Sequence, residues 1–252
     1  NGTEFWRGTQ NITWTSTNFD LGDLVDIALV DTLLSSSHVI DLGVAYDASP
    51  RSWSTIGEAD GTNYKIQIFK SGTFLNYDSS NLDFTIDNTA PVTTLTLGPV
   101  SPNGLNGWYI TVPTISLACN DSVGGNSGCN KTYYRWDNTG PWIDYSITPP
   151  TALEGSHTFS WYSDDNAVDA SSAHNIETVQ NQLIKVDTAF PTVAVTSTTP
   201  NGSYNAPDPI NVTLTFSENV TSTNTLTVTM DTGGTCIVPV LTNTNTETCT
   251  YT

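Results

Sequence analysis

Alternation of apolar and polar residues is the dominant pattern along this chain. Apolar side chains recur at every second position at Val25, Ile27 and Leu29, and the same period returns between Tyr64 and Ile68. A period of two places one face of a β-strand against a core. No stretch keeps the spacing of an amphipathic helix for more than about one turn. The pattern therefore predicts an all-β fold.

A short segment ending in proline occurs twice and divides the chain. Residues 87–91 read Asp-Asn-Thr-Ala-Pro, and residues 187–191 read Asp-Thr-Ala-Phe-Pro. Proline cannot donate to a β-ladder and favours extended geometry in the preceding residue, which predicts a stiff joint between domains. A repeat of about 100 residues has the size of one sandwich of seven strands. We predict tandem β-sandwiches over residues 1–87, 88–187 and 188–252, the last one incomplete as given.

The four cysteines form two pairs that are close in sequence. Cys119 and Cys129 flank a loop rich in Gly, Asn and Ser, and Cys236 and Cys249 flank a predicted hairpin. No neighbouring Cys or His has the spacing of a zinc site, so we predict two disulfides, each within one domain. Stable disulfides form in oxidising compartments, which predicts an extracellular or cell-surface location.

The charge of the chain limits its partners. Acidic residues outnumber basic ones by 25 to 7, and the net charge is −18. Such a charge repels phosphate backbones and anionic lipid, so we expect no nucleic acid partner. No run approaches the roughly 18 apolar residues that span a bilayer, so we expect no membrane insertion within this segment. The acidity either attracts divalent cations or only keeps an exposed protein soluble, and both interpretations stay open.

Several aspartates have the chemistry of a calcium site, because Ca²⁺ takes oxygen ligands from carboxylates and backbone carbonyls. Two acidic clusters and the two joint aspartates are candidates, since a cation at a joint would stiffen a rod. None of them matches the EF-hand pattern, and acidic loops are often only solvated. The candidate metal ligands are Asp20, Asp23, Asp26, Asp87, Asp164, Asp165, Asp169 and Asp187.

Neither the histidines nor the serines predict an enzyme. The chain has three His and no Gly-x-Ser-x-Gly turn, and none of its acids stands in a motif that marks catalysis. Trp53, Trp108 and Trp142 lie beside Gly or Pro or in a Ser-rich run, which makes them candidates for stacking on sugar rings. The tryptophans of the alternating segments are predicted to be core residues instead.

Seven sequons permit N-glycosylation. Asn, Ser and Thr are so frequent here that the number of sequons does not by itself indicate glycans. The sequon residues are Asn1, Asn11, Asn120, Asn130, Asn201, Asn211 and Asn219.

Motifs in the first segment carry a family resemblance. They are Trp6, Gly8 and residues 12–14, 25–30, 52–54 and 64–68. Through them the segment resembles the immunoglobulin-like (Ig-like) domain of the yeast cell-wall glucan-assembly family and its prokaryotic relatives, which are Ser/Thr-rich surface proteins.

The later segments also carry such motifs. In the second they are residues 106–109, Cys119 with Cys129, and residues 132–135, 155–157 and 162–164; in the third they are residues 201–205, Ile210 and residues 213–220. Both segments are similar to Ig-like repeats of bacterial and archaeal surface proteins. The third departs from its family at residues 206–208, where an acidic turn is usually followed by Gly.

The resemblance implies tandem Ig-like sandwiches with a structural or adhesive role. The expected protein is a stalk, surface-layer or filament subunit, with other copies of itself or cell-surface and matrix components as partners. The alternative is a carbohydrate-binding accessory region of a larger secreted enzyme, with a polysaccharide partner. A coplanar, exposed set of tryptophans would favour that alternative.

Overall fold

β-Strands make up nearly all the regular structure of this protein. The computed structural model describes residues 4–17, 19–73 and 77–252. About 51% of the chain lies in strands, and the helical structure among these residues is one 3-10 turn at Leu105–Gly107. No helix in the described ranges is long and apolar enough to cross a membrane. The predicted all-β fold is therefore confirmed, and its several sheets fit a β-sandwich.

The chain folds as two compact units, one ending at Asp187 and the other beginning at Thr188. This boundary falls on the second proline-containing segment. The further division of the first unit at residue 87 stays a prediction. The strands of the first unit are β1 (Phe5–Trp6), β2 (Thr9–Ile12), β3 (Leu24–Asp31), β4 (Ser36–Ala45), β5 (Arg51–Ser54), β6 (Gly61–Lys70), β7 (Tyr77–Ser79), β8 (Phe84–Ile86), β9 (Val92–Gly98), β10 (Thr114–Asn120), β11 (Cys129–Trp136), β12 (Ile143–Asp144), β13 (Gly155–Val168), β14 (His174–Ile176) and β15 (Gln180–Val186).

One large sheet runs through the first unit. Its main order is β12-β11-β13-β1-β8-β6-β3-β4, with β14 and β15 paired to β13 and β7 paired to β6. The short strand β1 lies in the middle and pairs in parallel on both sides, so that Trp6 is opposite both Ile86 and Val168. Two smaller ladders, β9 with β10 and β2 with β5, complete the unit. Strand β1 thereby joins the early and late parts of the unit.

The alternating apolar residues form two hydrophobic clusters in this unit. The first is built on β3, β6 and β8 and includes the fully buried Ile27 and Ile86. The second is built on β10, β11, β13 and β15 around the fully buried Phe159. Burying one such side chain stabilises the fold by roughly 1.5–3 kcal/mol. Trp14 packs on the first cluster and Trp136 on the second, which agrees with their alternating positions in the sequence.

The second unit has its own core and disulfide. Its strands are β16 (Val193–Ser197), β17 (Ile210–Val220), β18 (Leu226–Thr229), β19 (Thr235–Val238) and β20 (Thr244–Tyr251). They form the sheet β16-β17-β20 and the hairpin β18-β19. Val212, Leu214, Val238 and Leu241 are buried around the Cys236–Cys249 disulfide, whose Cα atoms lie 5.8 Å apart. This predicted bond is confirmed.

The first proline-containing segment connects β8 to β9 and is held on several sides. The peptide N–H of Asp87 donates to the carbonyl of Trp6 (2.9 Å), and that of Asn88 donates to Oδ1 of Asp60 (2.7 Å). Asn175 Nδ2 donates to the carbonyl oxygen of Asp87 (2.8 Å). Pro91 is buried at the end of the segment. These bonds fix the backbone that carries Asp87.

Candidate functional site

Three buried aspartates converge at the first proline-containing segment, residues 87–91, which we call the joint. Asp87 follows β8, Asp121 lies in the loop between β10 and β11, and Asp165 lies in β13. One carboxylate oxygen from each residue lies within 4.8 Å of the others. Asp87 and Asp165 are fully buried, and Asp121 is 6% exposed. Three carboxylates from distant parts of the sequence thus share one buried site.

Asp87 takes its position from the strand before it. All three residues of β8 are buried, and the next residue, Asp87, is fully buried as well. Asp87 Oδ2 accepts a hydrogen bond from the peptide N–H of Ser127 (2.9 Å), and Oδ1 accepts one from that of Thr89 (3.2 Å). A carboxylate oxygen has a second lone pair. Peptide groups therefore orient this carboxylate and leave it able to bind a further ligand.

Asp121 is held in a loop that a disulfide closes. Cys119 and Cys129 are bonded as predicted, with Cα atoms 6.3 Å apart. Asp121 Oδ2 accepts hydrogen bonds from the peptide N–H of Gly128 (2.6 Å) and from Oγ of Ser127 (3.3 Å). Its other oxygen, Oδ1, is buried and has no hydrogen-bond partner within the described ranges. A buried acceptor without a partner costs roughly 1–3 kcal/mol, and more when it is charged.

Asp165 faces the other two aspartates from β13. Its Oδ1 accepts hydrogen bonds from the peptide N–H groups of Ala167 (3.0 Å) and Asn175 (3.3 Å). Its Oδ2 accepts one from Nδ2 of Asn175 (2.7 Å), the same amide nitrogen that donates to the backbone of Asp87. Asn175 is itself buried. This one side chain therefore fixes Asp165 relative to the joint.

A glycine brings the loop close to the joint. Gly125 is buried, and a Cβ at this position would lie 2.6 Å from Cβ of Asp87. It would also meet the carbonyl oxygen of Ile86 at an impossibly short distance. At the preceding residue, Gly124 has a φ of +86°, a conformation that glycine adopts most readily. The loop could not approach Asp87 this closely with larger residues.

The surroundings of the three carboxylates add no positive charge by direct contact. Arg7 donates from Nε to Oδ1 of Asn175 (2.6 Å), so an amide separates it from Asp165. Its Nη1 lies 3.7 Å from Asp169. No ion pair in the described part of the chain includes any of the three clustered aspartates. The cluster therefore combines three acidic groups whose charges the neighbouring side chains do not offset.

The pKa values of two of the aspartates reflect burial first and this repulsion second. Burial, followed by the charges of Asp87 and Asp121, raises the pKa of Asp165 to about 6, although the hydrogen bond from Asn175 opposes the shift. Burial also raises the pKa of Asp121, and the charges of Asp87 and Asp60 add to that rise. Ionised carboxylates are therefore costly here unless a cation joins them. The available donors are all oxygens, which suits a hard cation.

Two members of this cluster, Asp87 and Asp165, are among the predicted metal ligands, whereas Asp121 was missed. A signal for Asp121 exists in its position, two residues after Cys119 in a loop that the predicted disulfide would order. Asn175 and Ser127 were missed as well. Their roles depend on contacts between distant segments, which a single sequence does not reveal.

The first predicted acidic cluster is used for structural contacts. Asp23 pairs with Lys70 (2.8 Å), and its Oδ2 also accepts the peptide N–H of Asp20 (2.9 Å). The buried Asp26 accepts hydrogen bonds from the peptide N–H of Gly43 (2.7 Å) and from the side chain of Ser71. Within the described ranges, these aspartates do not form a group of three ligands with the close spacing found at the joint.

The remaining predicted ligands also lie apart from the cluster. Asp164 is buried and accepts the peptide N–H of Lys131 (2.9 Å). Asp169 Oδ1 accepts the peptide N–H of Ser171 (2.8 Å). The peptide N–H of Asp187 donates to the carbonyl of Tyr109 (2.8 Å). The structure thus brings together two of the eight residues predicted from the sequence.

The three candidate sugar-binding tryptophans have different partners. Trp53 contacts Trp6 edge to face (6.4 Å between centroids), and Trp108 lies 5.8 Å from the ammonium of Lys185. Trp142 contacts Tyr162 edge to face (4.7 Å between centroids). All three are half-buried. Among the described residues, no ring contact joins any two of Trp53, Trp108 and Trp142.

The predicted glycosylation sites are accessible wherever the structure describes them. Asn1 lies outside the described residues. The other sequon residues, Asn11, Asn120, Asn130, Asn201, Asn211 and Asn219, are all exposed. Their exposure permits modification and leaves it a prediction.

Comparisons with known proteins do not name a relative. No protein-family model matches the sequence, and a search of curated proteins finds no match. The resemblance to Ig-like surface domains therefore stays a proposal.

Proposed function

We propose that this chain belongs to an extracellular structural or adhesive protein built of Ig-like domains. Its role would be that of a stalk, surface-layer or filament subunit, in contact with other copies or with cell-surface and matrix components. No enzymatic activity is proposed. The observation that carries this proposal is the hydrogen-bonded segment 87–91, which connects the strands of the two hydrophobic clusters of the first unit.

The joint has the properties that a stiff extended protein requires. Strand β1 pairs with β8 of the early part and with β13 of the late part. The chain at Asp87 and Asn88 is hydrogen bonded to three separate segments, through Trp6, Asp60 and Asn175. A flexible linker would instead leave its peptide groups to water. This architecture supports a role in which length and stiffness matter.

Two further properties support a location outside the cytoplasm. Each unit contains one disulfide, and such bonds persist in oxidising compartments. The net charge of −18 keeps an exposed surface soluble and disfavours binding to nucleic acid or anionic lipid. Both properties suit a protein displayed at a cell surface.

Two experiments test this role. Antibodies raised against the chain should label intact, non-permeabilised source cells, and labelling only after permeabilisation would contradict the proposal. Hydrogen–deuterium exchange on the whole chain should show slow exchange at residues 84–88, as slow as in the core strands. Exchange there as fast as in an exposed loop would remove the argument from stiffness.

One observation favours carbohydrate binding as the alternative function. On β11 and β13, Tyr133 and Tyr162 stack with centroids 5.1 Å apart, on the side of the strands opposite the buried Tyr134 and Trp161. Trp142 extends this group through Tyr162. Half-buried aromatic rings of this kind can stack on sugars.

A matched pair of variants tests this alternative. Retardation of the protein in gels that contain polysaccharide should be lost in Trp142→Ala and kept in Trp108→Ala, since Trp108 lies in a different part of the unit. Unchanged mobility of the wild-type protein across a panel of polysaccharides would reject the alternative.

A further inference from the structure

We propose that Asp87, Asp121 and Asp165 bind one calcium ion, which fastens the disulfide-closed loop and β13 to the joint. The three residues come from three separate segments of the first unit, and each offers one carboxylate oxygen within 4.8 Å of the others. The proposal concerns this cluster alone and no other acidic group of the chain.

The unpartnered oxygen of Asp121 is an independent sign that this cluster binds a cation. Asp121 is 6% exposed, and its Oδ1 has no hydrogen-bond partner in the described part of the chain. Its Oδ2 accepts two hydrogen bonds, which fixes the carboxylate and hence the direction of Oδ1. The large majority of buried side-chain polar atoms in proteins have a hydrogen-bond partner. A cation in the cluster gives this oxygen the partner that it lacks.

The donor set favours calcium among common cations. All three ligands are carboxylate oxygens, and the cluster contains no Cys or His. Ca²⁺ takes six to eight oxygen ligands in a flexible geometry, whereas Mg²⁺ demands near-ideal octahedral geometry and usually keeps several of its waters. A buried group of three carboxylates therefore suits calcium better than magnesium.

The hydrogen bonds around the site leave the carboxylates ready to bind. Peptide N–H groups of Ser127, Thr89 and Ala167 donate to Asp87 or Asp165. Asn175 holds Asp165 by its amide. Such outer contacts orient ligand oxygens without removing their remaining lone pairs. No ion pair within the described ranges neutralises the three charges, so the cation takes that role.

Calcium at this position would tie together residues that are 34 and 44 positions apart in the sequence. In this respect the inference deepens the proposed function and rests on it, since a calcium ion at the joint would stiffen the proposed stalk. The two ideas can fail separately. A surface stalk without calcium remains a stalk, and a protein from another location could still bind the ion in the test tube.

The decisive variant is Asp121→Asn in the full chain. The amide oxygen can replace Oδ2 and keep both of its hydrogen bonds, while the NH₂ group replaces the unpartnered Oδ1. This change removes one ligand and preserves the shape of the loop. Asp47→Asn is the matched control, because Asp47 is exposed and belongs to the same unit.

Isothermal titration of calcium-free protein with CaCl₂ should show one site in the wild type and in Asp47→Asn. We expect Asp121→Asn to bind at least about tenfold more weakly, since even the loss of an outer-shell contact costs 10–100-fold. Calcium should raise the melting temperature of the wild type and not of Asp121→Asn. In calcium-free buffer Asp121→Asn should be at least as stable as the wild type, because it carries one repelling charge fewer.

Three results would overturn the proposal. They are no binding by the wild type at millimolar CaCl₂, equal binding by Asp121→Asn, and equal or tighter binding of MgCl₂. A crystal structure of the wild-type protein with calcium gives a readout that needs no variant. Its anomalous signal should lie between the three carboxylates, and a calcium peak only elsewhere would refute the assignment.

Discussion

The two proline-containing segments begin with the same residue and meet very different surroundings. Asp87 is fully buried and shares a site with Asp121 and Asp165. Asp187 is half-buried and, among the described residues, belongs to no such group. Pro91 is buried, whereas Pro191 is exposed. The same motif therefore occurs in very different surroundings, and the segments that pack around it decide whether its aspartate becomes part of a site.

The two disulfides should contribute more to stability than any single residue near the joint. Replacing Cys119 and Cys129 by Ser should lower the free energy of unfolding of the first unit by about 3 kcal/mol, because a loop of this length regains its freedom in the unfolded chain. The same change at Cys236 and Cys249 should cost the second unit a similar amount. Only the first pair should also weaken calcium binding. Urea unfolding and calcium titration of both double variants test this. Equal loss of calcium affinity in the two double variants would contradict a special role of the first disulfide at the ion.

Alanine at each joint aspartate compares the two segments directly. In calcium, Asp87→Ala should lower the free energy of unfolding by about 2 kcal/mol, since it removes the acceptor of the peptide N–H groups of the buried Ser127 and the half-buried Thr89. Asp187→Ala should cost less than about 1 kcal/mol, because that residue is only half-buried. Chemical unfolding of both variants measures the difference. Equal losses would mean that the two joints are equivalent after all.

The close approach of the loop predicts an effect at Gly125. Gly125→Ala places a methyl group against Ile86 and Asp87, and the strain should cost about 2 kcal/mol and weaken calcium binding. Gly202→Ala in the second unit is the control, since its Cβ would lie at an ordinary 3.6 Å from the ring of Tyr204. Thermal unfolding of the two variants tests this. A neutral Gly125→Ala would show that the loop can move away from the joint at little cost.

The titration of Asp165 predicts that the free energy of unfolding depends weakly on pH in calcium-free buffer. Because the pKa of Asp165 is raised from 3.8 to about 6, the folded protein binds this proton more tightly than the unfolded chain. Asp165 therefore stabilises the fold below about pH 4, and that stability is lost as the pH rises through about 6, by about 1–2 kcal/mol after allowance for solvent screening. The difference between the wild type and Asp165→Asn, measured by urea unfolding from pH 4 to pH 8, isolates this group. A difference that does not change with pH would contradict the raised pKa.

Much of the fold can be predicted from the sequence, because strands and disulfides depend on residues that are close together along the chain. Alternation in β3 predicts the burial of Val25, Ile27 and Leu29, and all three lie in the first cluster. The pairing of Cys119 with Cys129 follows from their proximity and the turn residues between them. The candidate site can be predicted from the sequence only in part. The position of Asp87 and the clustering of Asp165 predict metal ligands. Equally good patterns predict Asp20 and Asp164, which make structural contacts instead.

The strands, the two disulfides and the acidity of this protein follow from its sequence alone. They depend on side-chain period, on composition and on residues that are close together along the chain. The meeting of Asp87, Asp121 and Asp165 depends on the tertiary structure. Their meeting requires β1 to pair with β8 and β13 and Gly125 to pass close to Ile86. Such contacts between distant segments depend on the packing of the whole unit, because no local pattern encodes the distance between two side chains.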